Sequence, residues 1–165
     1  MEEIPHWKFI FLISQGFPLE PNFLETERYK EFYEALQYVI PSWTYRVVYV
    51  QYLRHHPVEY YLSCREDLTN WVASIHVGLT FPHHFDHSGD SKFMHDYLMS
   101  IADGYAERPS FQTLLNYHNF WVSLQNVLPN VKSRQSYYTY LKQNPIEPYL
   151  ISKTYLRQWV HQVQI

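Results

Sequence analysis

Apolar residues recur at helical spacing along most of the chain. The clearest runs are Phe32, Leu36, Val39 and Ile40, followed by Leu68, Trp71, Val72 and Ile75. Positions three, four and seven residues apart share one face of a helix, so each run marks a helix that packs on a core. The pattern predicts helices at about residues 7–15, 24–40 and 42–54, and a fourth that begins with a capping box formed by Ser63 and Glu66.

The same pattern occurs twice in the chain. Residues 31–77 align without a gap to residues 119–165, at an offset of 88. Identical pairs include Phe32/Phe120, Leu36/Leu124, Pro41/Pro129, Arg46/Arg134, Tyr49/Tyr137 and Trp71/Trp159. A period this long indicates a duplicated structural unit. We therefore predict an all-α fold of two tandem four-helix bundles, residues 1–80 and 91–165, joined by a linker at 81–90.

Composition and charge argue against several classes of protein. Apolar residues make up 46% of the 165 residues, and the net charge is −3 with no cluster of Lys and Arg. We expect a packed core and no nucleic-acid partner, since nucleic-acid-binding proteins carry a basic surface. The longest apolar run, residues 9–13, is too short to cross a bilayer, and the N-terminus lacks the pattern of a signal peptide. We leave the location unassigned between the cell interior and a virion.

Sixteen tyrosines are the most unusual part of the composition. Because tyrosine is amphipathic, they could form protein interfaces or fill a core with their hydroxyls at its edge, and the sequence leaves both open. Arg46 with Tyr49, and Arg134 with Tyr137, raise the same question, since residues three apart share a helix face. We favour an arginine stem packed across each tyrosine ring inside the bundle.

Metal and thiol chemistry have one candidate each. His83, His84, Asp86 and His87 form the densest group of metal-capable side chains, but a short polar linker lacks the rigid supports of a zinc site. Cys64 is the only cysteine, so an intramolecular disulfide is impossible. Because it lies near a predicted helix N-terminus, the helix dipole would lower the pKa of its thiol. We find no accompanying His and Asp for it, and expect neither a metal site nor a reactive thiol.

The order of several residues resembles that of one known family. Trp7, Ile10, Phe17 and Pro18 come first, then Pro41 and Arg46, and finally Pro57, Leu68, Trp71 and His76. This order resembles that of the Erv/ALR FAD-linked sulfhydryl oxidases, small helical bundles with W-x-x-L-H, C-x-x-C-R-x-H-F and H-N-x-V-N segments. The resemblance covers residues 7–80 and, more faintly, 95–165. It implies two bundles paired face to face, here as a pseudo-dimer within one chain.

The redox cysteines of that family are missing. Under the resemblance, Ser42 and Tyr45 stand at the two cysteine positions, and Asn130 and Ser133 stand there in the second unit. Thiol oxidation needs one thiolate that attacks the substrate and a second thiol that passes on two electrons. Neither serine nor tyrosine has this chemistry, so the resemblance implies a chain without catalytic residues.

The flavin contacts that the resemblance implies are also depleted. Phe11, Val48, Val77 and Thr80 replace polar residues of the family, and Trp7, Tyr49 and His76 are the ones that could still touch a flavin. Their counterparts in the second unit are His95, Tyr137 and Gln164. Each lost polar contact should cost about 1 kcal/mol in a site built to pair it. We therefore expect no cofactor and no cofactor-binding residue.

These losses lead to two functional hypotheses. The first is that the chain is not an enzyme but a pseudoenzyme, a structural or adaptor protein that binds other proteins, such as those of a large DNA virus whose virion it enters. It would be a homo-oligomer or a pseudo-dimer. The second is a residual FAD-binding flavoprotein, or a redox partner, that borrows thiols from another subunit.

Overall fold

The computed structural model describes residues 5–76 and 88–165, whose regular structure is entirely helical. It contains eight α-helices in these residues: α1 (His6–Gln15), α2 (Phe23–Leu36), α3 (Trp43–His55), α4 (Arg65–Ile75), α5 (Asp90–Asp103), α6 (Phe111–Ser123), α7 (Val131–Gln143) and α8 (Lys153–His161). Short 3₁₀ segments lie at Val58–Tyr61, Leu124–Asn126 and Glu147–Ile151. The predicted all-α class is confirmed, because none of the described residues lies in a strand.

Side-chain caps determine where most of these helices begin. The Asn22 side chain accepts the N–H of Glu25 at 2.8 Å, and the Glu25 carboxylate accepts the Asn22 N–H at 3.0 Å, which completes a capping box. Single bonds of the same kind come from Ser42 for α3, Ser110 for α6, Asn130 for α7 and Ser152 for α8. Each cap satisfies one of the N–H groups that a helix start leaves unpaired.

The start of α4 differs from the prediction. The helix begins at Arg65 with Cys64 as its N-cap, and Cys64 makes no side-chain capping bond. Ser63 instead donates its hydroxyl to the carboxylate of Asp67. The capping box predicted at Ser63 and Glu66 is therefore wrong, because Ser63 lies one residue too early to cap the helix.

The end of α2 also differs from the prediction. The helix ends at Leu36, about one turn before the expected end at Ile40. Pro41 explains the difference, because a proline disfavours the helical conformation of the residue before it. The Gln37 side chain donates to the carbonyl of Glu34 at 2.7 Å and closes the last turn.

Buried tyrosines donate their hydroxyls to the backbone. Tyr49 and Tyr137 have no exposed surface, and they donate to the carbonyl oxygens of Tyr33 and Trp121. Tyr33 in turn donates to the carbonyl of Ile10 at 3.1 Å. These bonds satisfy the polar end of each ring inside the core. For these tyrosines the structure supports the core interpretation.

Matching hydrogen bonds occur at the 88-residue offset. The indole N–H of Trp71 donates to the His56 carbonyl at 2.8 Å, and that of Trp159 donates to the Asn144 carbonyl at 2.8 Å. The packing of α1 on α4 likewise has its counterpart in the packing of α5 on α8. Equivalent residues thus hold equivalent helices together in the two halves.

Arg46 and Arg134 also make matching bonds. Arg46 donates to the Ile40 carbonyl and Arg134 to the Leu128 carbonyl, each at 2.7 Å. Each guanidinium therefore turns back to the end of the preceding segment. The expected packing of the arginine stem across the Tyr49 ring concerns another part of the side chain and stays a prediction.

The two halves pack through α2 and α6, and equivalent residues touch across this contact. The rings of Phe32 and Phe120, whose numbers differ by 88, have centroids 5.6 Å apart. Phe9 and Tyr97, which have the same offset, stack at 4.3 Å with an interplanar angle of 14°. A residue meets its own equivalent where two units face each other across a two-fold axis.

A reciprocal pair of contacts joins the halves at their edges. The charge of Arg46 in the first half acts on Tyr117 of the second, and the charge of Arg134 in the second half acts on Tyr29 of the first. Burial raises the pKa of Tyr29 to about 12, while the charge of Arg134 opposes that rise. Contacts that recur with the roles of the two partners exchanged are typical of an isologous interface.

We expect Phe32 and Phe120 to be coupled energetically. In a double-mutant cycle with Phe32→Leu and Phe120→Leu, the coupling energy from urea unfolding should be roughly 0.5–1.5 kcal/mol, because an aromatic pair adds to simple burial. Phe32→Leu combined with Val160→Ala, a buried residue of α8, serves as the control and should be additive. Additivity of the Phe32 and Phe120 changes would contradict the contact.

Candidate functional site

Four rings from both halves meet at one end of the first bundle. His6 of α1 lies against Tyr45 of α3, with ring centroids 4.8 Å apart, and Tyr45 stacks on His76 at 5.5 Å. Tyr97 of α5 completes the group, with its hydroxyl 2.8 Å from Nδ1 of His6. We call His6, Tyr45, His76 and Tyr97 the His–Tyr cluster. It includes Tyr45, one of the positions that the resemblance gives to a redox cysteine.

The start of α3 positions Tyr45. The Ser42 hydroxyl accepts the Tyr45 N–H at 3.2 Å, so Ser42 acts as the N-cap and Tyr45 is the third residue of the helix. From there the Tyr45 ring reaches His76, which is the C-cap of α4. The serine at the first motif position therefore serves as a helix cap.

Hydrogen bonds fix the tautomer of His76. Its Nδ1 lies 3.1 Å from the Val72 carbonyl, which can only accept, so Nδ1 carries the proton. Nε2 is then left as an acceptor, and the Tyr45 hydroxyl donates to it. His76 is thus held as a neutral imidazole between a carbonyl and a phenol.

Burial shifts the pKa values of three residues of the cluster, each in the direction that favours the uncharged form of its side chain. It lowers the pKa of His76 below its usual value; the bond to Val72 opposes this shift, and the nearby His6 adds to it. Burial raises the pKa of Tyr45 and also that of Tyr97. These shifts favour the uncharged forms, so His76, Tyr45 and Tyr97 are neutral at pH 7.

The residues that the resemblance links to a flavin do not form an open site. Tyr49 is fully buried and its hydroxyl is bound to the backbone, so a ligand cannot reach it. His76 is 8% exposed, with Tyr45 stacked on its ring. Trp7 is half-buried at the edge of the core. Phe11 is buried and Val48 is 48% exposed, whereas Val77 and Thr80 lie outside the described residues.

These positions do not fit a flavin as the side chains lie. A flavin ring stacked on His76 would need the space that the Tyr45 phenol occupies. The Tyr45 hydroxyl also takes the Nε2 atom through which His76 would bind a ligand. We therefore derive no chemical step through a flavin at the His–Tyr cluster.

The second bundle has no equivalent cluster among the described residues. Asn130 caps α7 by accepting the N–H of Ser133 at 2.7 Å, so the two motif positions again start a helix. Ser133 is too short to reach across as Tyr45 does, and Gln164, the counterpart of His76, is exposed. The ring of His95 instead faces His161, at a centroid distance of 6.4 Å.

Two members of the His–Tyr cluster were not anticipated from the sequence. His6 precedes the first residue of the family pattern, and Tyr97 comes from the second bundle. The one signal for Tyr97 was the 88-residue offset, which pairs it with Phe9 of α1. A residue that completes a site across two units can be identified only when their packing is known.

The other candidate sites have different outcomes. No three His, Cys, Asp or Glu residues come together as a possible metal site in the described ranges. His83, His84, Asp86 and His87 lie outside those ranges, so that candidate stays untested. Cys64 is a free, half-buried cysteine at the start of α4. None of the helices in residues 5–76 and 88–165 is both long and apolar enough to cross a membrane.

Comparison with known proteins relates this helical bundle to sulfhydryl oxidases. The chain is 32% identical over 71 residues to a protein described as "Probable FAD-linked sulfhydryl oxidase R368", from Acanthamoeba polyphaga mimivirus. The match covers 42% of this chain and 50% of the relative, so the chain spans about half the length of the curated relative that it matches. No family model matches, and no solved structure matches. The partial match agrees with the resemblance to the Erv/ALR type.

The prediction that the chain is not an enzyme is contradicted by this match. The relative is described as an oxidase, and its class is therefore an enzyme class. The prediction relied on Ser42 and Tyr45. The absence of cysteine at these two positions shows only that neither of them supplies a thiol. Thiols held on another chain can perform the same exchange, since thiol–disulfide exchange proceeds between molecules.

We expect His76 to make stability depend on pH. Its pKa is lowered by folding, so the unfolded chain binds more protons below about pH 6.5, the ordinary histidine pKa. The contribution of the neutral, buried His76 to the free energy of unfolding is complete above that pH, and it is lost as the pH falls through the folded-state pKa. Thermal unfolding from pH 8 to pH 5 should show a smaller loss of Tm for His76→Gln than for the wild type.

The matched control for this change is His55→Gln. His55 is exposed at the end of α3, so its loss should leave the wild-type pH profile in place. If His76→Gln and His55→Gln gave the same profile, the assignment of a buried neutral imidazole to His76 would be wrong.

Proposed function

We propose that this protein is a module of the sulfhydryl-oxidase class that works in thiol oxidation together with a thiol-bearing partner protein. Its residues 1–80 and 91–165 form two units, linked by residues 81–90 and packed as an intramolecular pseudo-dimer. The first unit receives the partner's thiols near the His–Tyr cluster. The observation that carries this proposal is the place of Tyr45, which stands at a redox position and is packed against His76.

The contacts between the halves support the pseudo-dimer. Phe32 meets Phe120 and Phe9 meets Tyr97, each a pair of equivalent residues. The charge of Arg46 acts on Tyr117 across the interface, and the charge of Arg134 acts on Tyr29 in the opposite direction. A chain that contains both halves of the dimer does not need a second copy to complete it.

The cysteine count supports a partner for the chemistry. Formation of one disulfide uses two thiols, and this sequence contains a single cysteine, Cys64. A dithiol must therefore come from outside this sequence. Ser42 and Tyr45 at the start of α3 mark the site where it would act, because the Tyr45 ring is half-buried and lies at the edge of the core.

The relative also suggests where the protein occurs. Its source is a mimivirus, and we place this chain in a large DNA virus as well, as a component of the virion that contacts other viral proteins. Quantitative mass spectrometry of gradient-purified virions should recover peptides of this chain in constant ratio to the capsid protein. Loss of these peptides on further purification would contradict a virion location.

A cysteine pair at the motif positions should replace the partner's thiols. The Ser42→Cys/Tyr45→Cys variant removes the phenol from His76 and places two thiols at the start of α3. We expect it to oxidise dithiothreitol, with FAD added, about tenfold or more faster than the wild type. Oxygen consumption measures the rate, and Tm confirms that the variant is folded.

The second unit supplies the matched control. Asn130→Cys/Ser133→Cys creates the same spacing at the start of α7, where Gln164 replaces His76 and no histidine–tyrosine cluster surrounds the pair. We expect no gain from this variant. Equal rates for the two cysteine pairs, or no gain from the pair at residues 42 and 45, would contradict the proposed role of the first unit.

A further inference from the structure

A cleft on the second unit has an unusual lining. It has a volume of about 910 Å³ and lies between α7 and α8, with Tyr149 of the Glu147–Ile151 segment at its side. Six of its lining side chains are carboxamides: Gln135, Gln143, Asn144, Gln158, Gln162 and Gln164. None of the described residues that line this cleft carries a charge. Such a surface suits a ligand that is neutral and rich in hydrogen-bonding groups.

Aromatic rings form the apolar part of the cleft. Tyr140 and Tyr149 are half-buried, and Trp159 lies beneath them, almost fully buried. The Tyr140 hydroxyl donates to the Trp159 carbonyl at 2.6 Å, and the Trp159 indole N–H donates to the Asn144 carbonyl at 2.8 Å. These two rings therefore have their polar atoms paired within the protein. Tyr140 therefore offers a ligand the carbon surface of its ring, and the buried Trp159 packs against that ring from the core.

The chemistry of the lining selects the class of ligand. A carboxamide has both donors and an acceptor, and so matches a hydroxyl group, which also donates and accepts. Ring surfaces match the C–H faces of a sugar ring. A phosphate or carboxylate would find no cation in the cleft, and a lipid chain would leave the carboxamides unpaired. An extended peptide would lack a charged anchor for either of its ends.

Comparison with the equivalent positions of the first unit shows which part of the cleft lining is found only in the second unit. The aromatic residues have identical counterparts there, namely Tyr52, Tyr61 and Trp71. Five of the six carboxamides do not: Gln135, Gln143 and Gln162, for example, correspond to Val47, His55 and Ser74, whereas Gln158 corresponds to Asn70. The rings thus belong to the common fold of both units, whereas most of the neutral amide lining is found in the second unit alone.

We propose that this cleft is a binding site for a neutral saccharide. Tyr140 and Tyr149 contact the sugar rings, and Gln135 of α7 and Gln162, the C-cap of α8, bind hydroxyl groups. Nothing in this assignment depends on thiol oxidation or on the first unit. It gives the two halves of the chain separate roles.

Titration of the purified full chain with neutral trisaccharides tests the site. The probes are cellotriose, maltotriose and chitotriose, and binding is followed by calorimetry and by tryptophan fluorescence. We expect at least one probe to bind with a Kd of about 1 mM or tighter. The Gln135→Val/Gln162→Ser variant, which introduces the residues of the first unit, should bind it about tenfold more weakly, since hydroxyl groups lose their partners.

Gln51→Ser/Gln112→Val is the control, because it removes two exposed glutamines that do not line the cleft. It should bind like the wild type, and Tm should show that both variants are folded. The proposal is overturned if none of the three probes binds, or if the cleft variant binds as tightly as the control. Equal binding of trigalacturonic acid or of an uncharged Gly-Ser-Asn peptide would overturn it as well, since either would show that the lining does not select a neutral sugar.

Discussion

The packing of α2 against α6 is the contact on which the rest of the structure depends. In the proposed two-unit arrangement each unit has only about 75 residues, a size at which a single bundle buries a small fraction of its surface and is marginally stable. The shared contact adds Phe32 and Phe120, both fully buried, to the cores of both units at once. The charge of Arg46 acts on Tyr117 across the same contact. The contact between α2 and α6 therefore contributes to the stability of the fold and also determines how the two halves are arranged.

The same interface creates the His–Tyr cluster. When α2 and α6 are in contact, α5 lies beside α1, and Tyr97 comes within 2.8 Å of His6. His6 then supports the ring of Tyr45, which covers His76. A site that would belong to one unit is in this way completed by the other. Because the Tyr45 ring covers His76, an added ligand or thiol has to displace Tyr45 before it can reach that histidine.

Local patterns in the sequence predicted the helices well but their ends less well. The apolar spacing identified α2 and α4 correctly, because an amphipathic helix needs that spacing to bury one face. It could not show that α2 ends at Leu36, or that Cys64 rather than Ser63 precedes α4, since these depend on backbone angles at single residues. The site was predicted only in part. Tyr45 and His76 follow from the family pattern, whereas Tyr97 joins them through packing between units.

The prediction that the chain is not an enzyme, which the match to an oxidase contradicts, failed for a different physical reason. Substitution of two cysteines removes two thiols from the start of α3. Thiol–disulfide exchange, however, is the attack of a thiolate on a disulfide, and the two groups can lie on different chains. The central claim of this account is the two-fold packing of the two units. A crystal structure tests it most directly: we expect the ring of Phe32 against that of Phe120, and the ring of Phe9 stacked on that of Tyr97. Units that are separated, or related by translation alone, would contradict it.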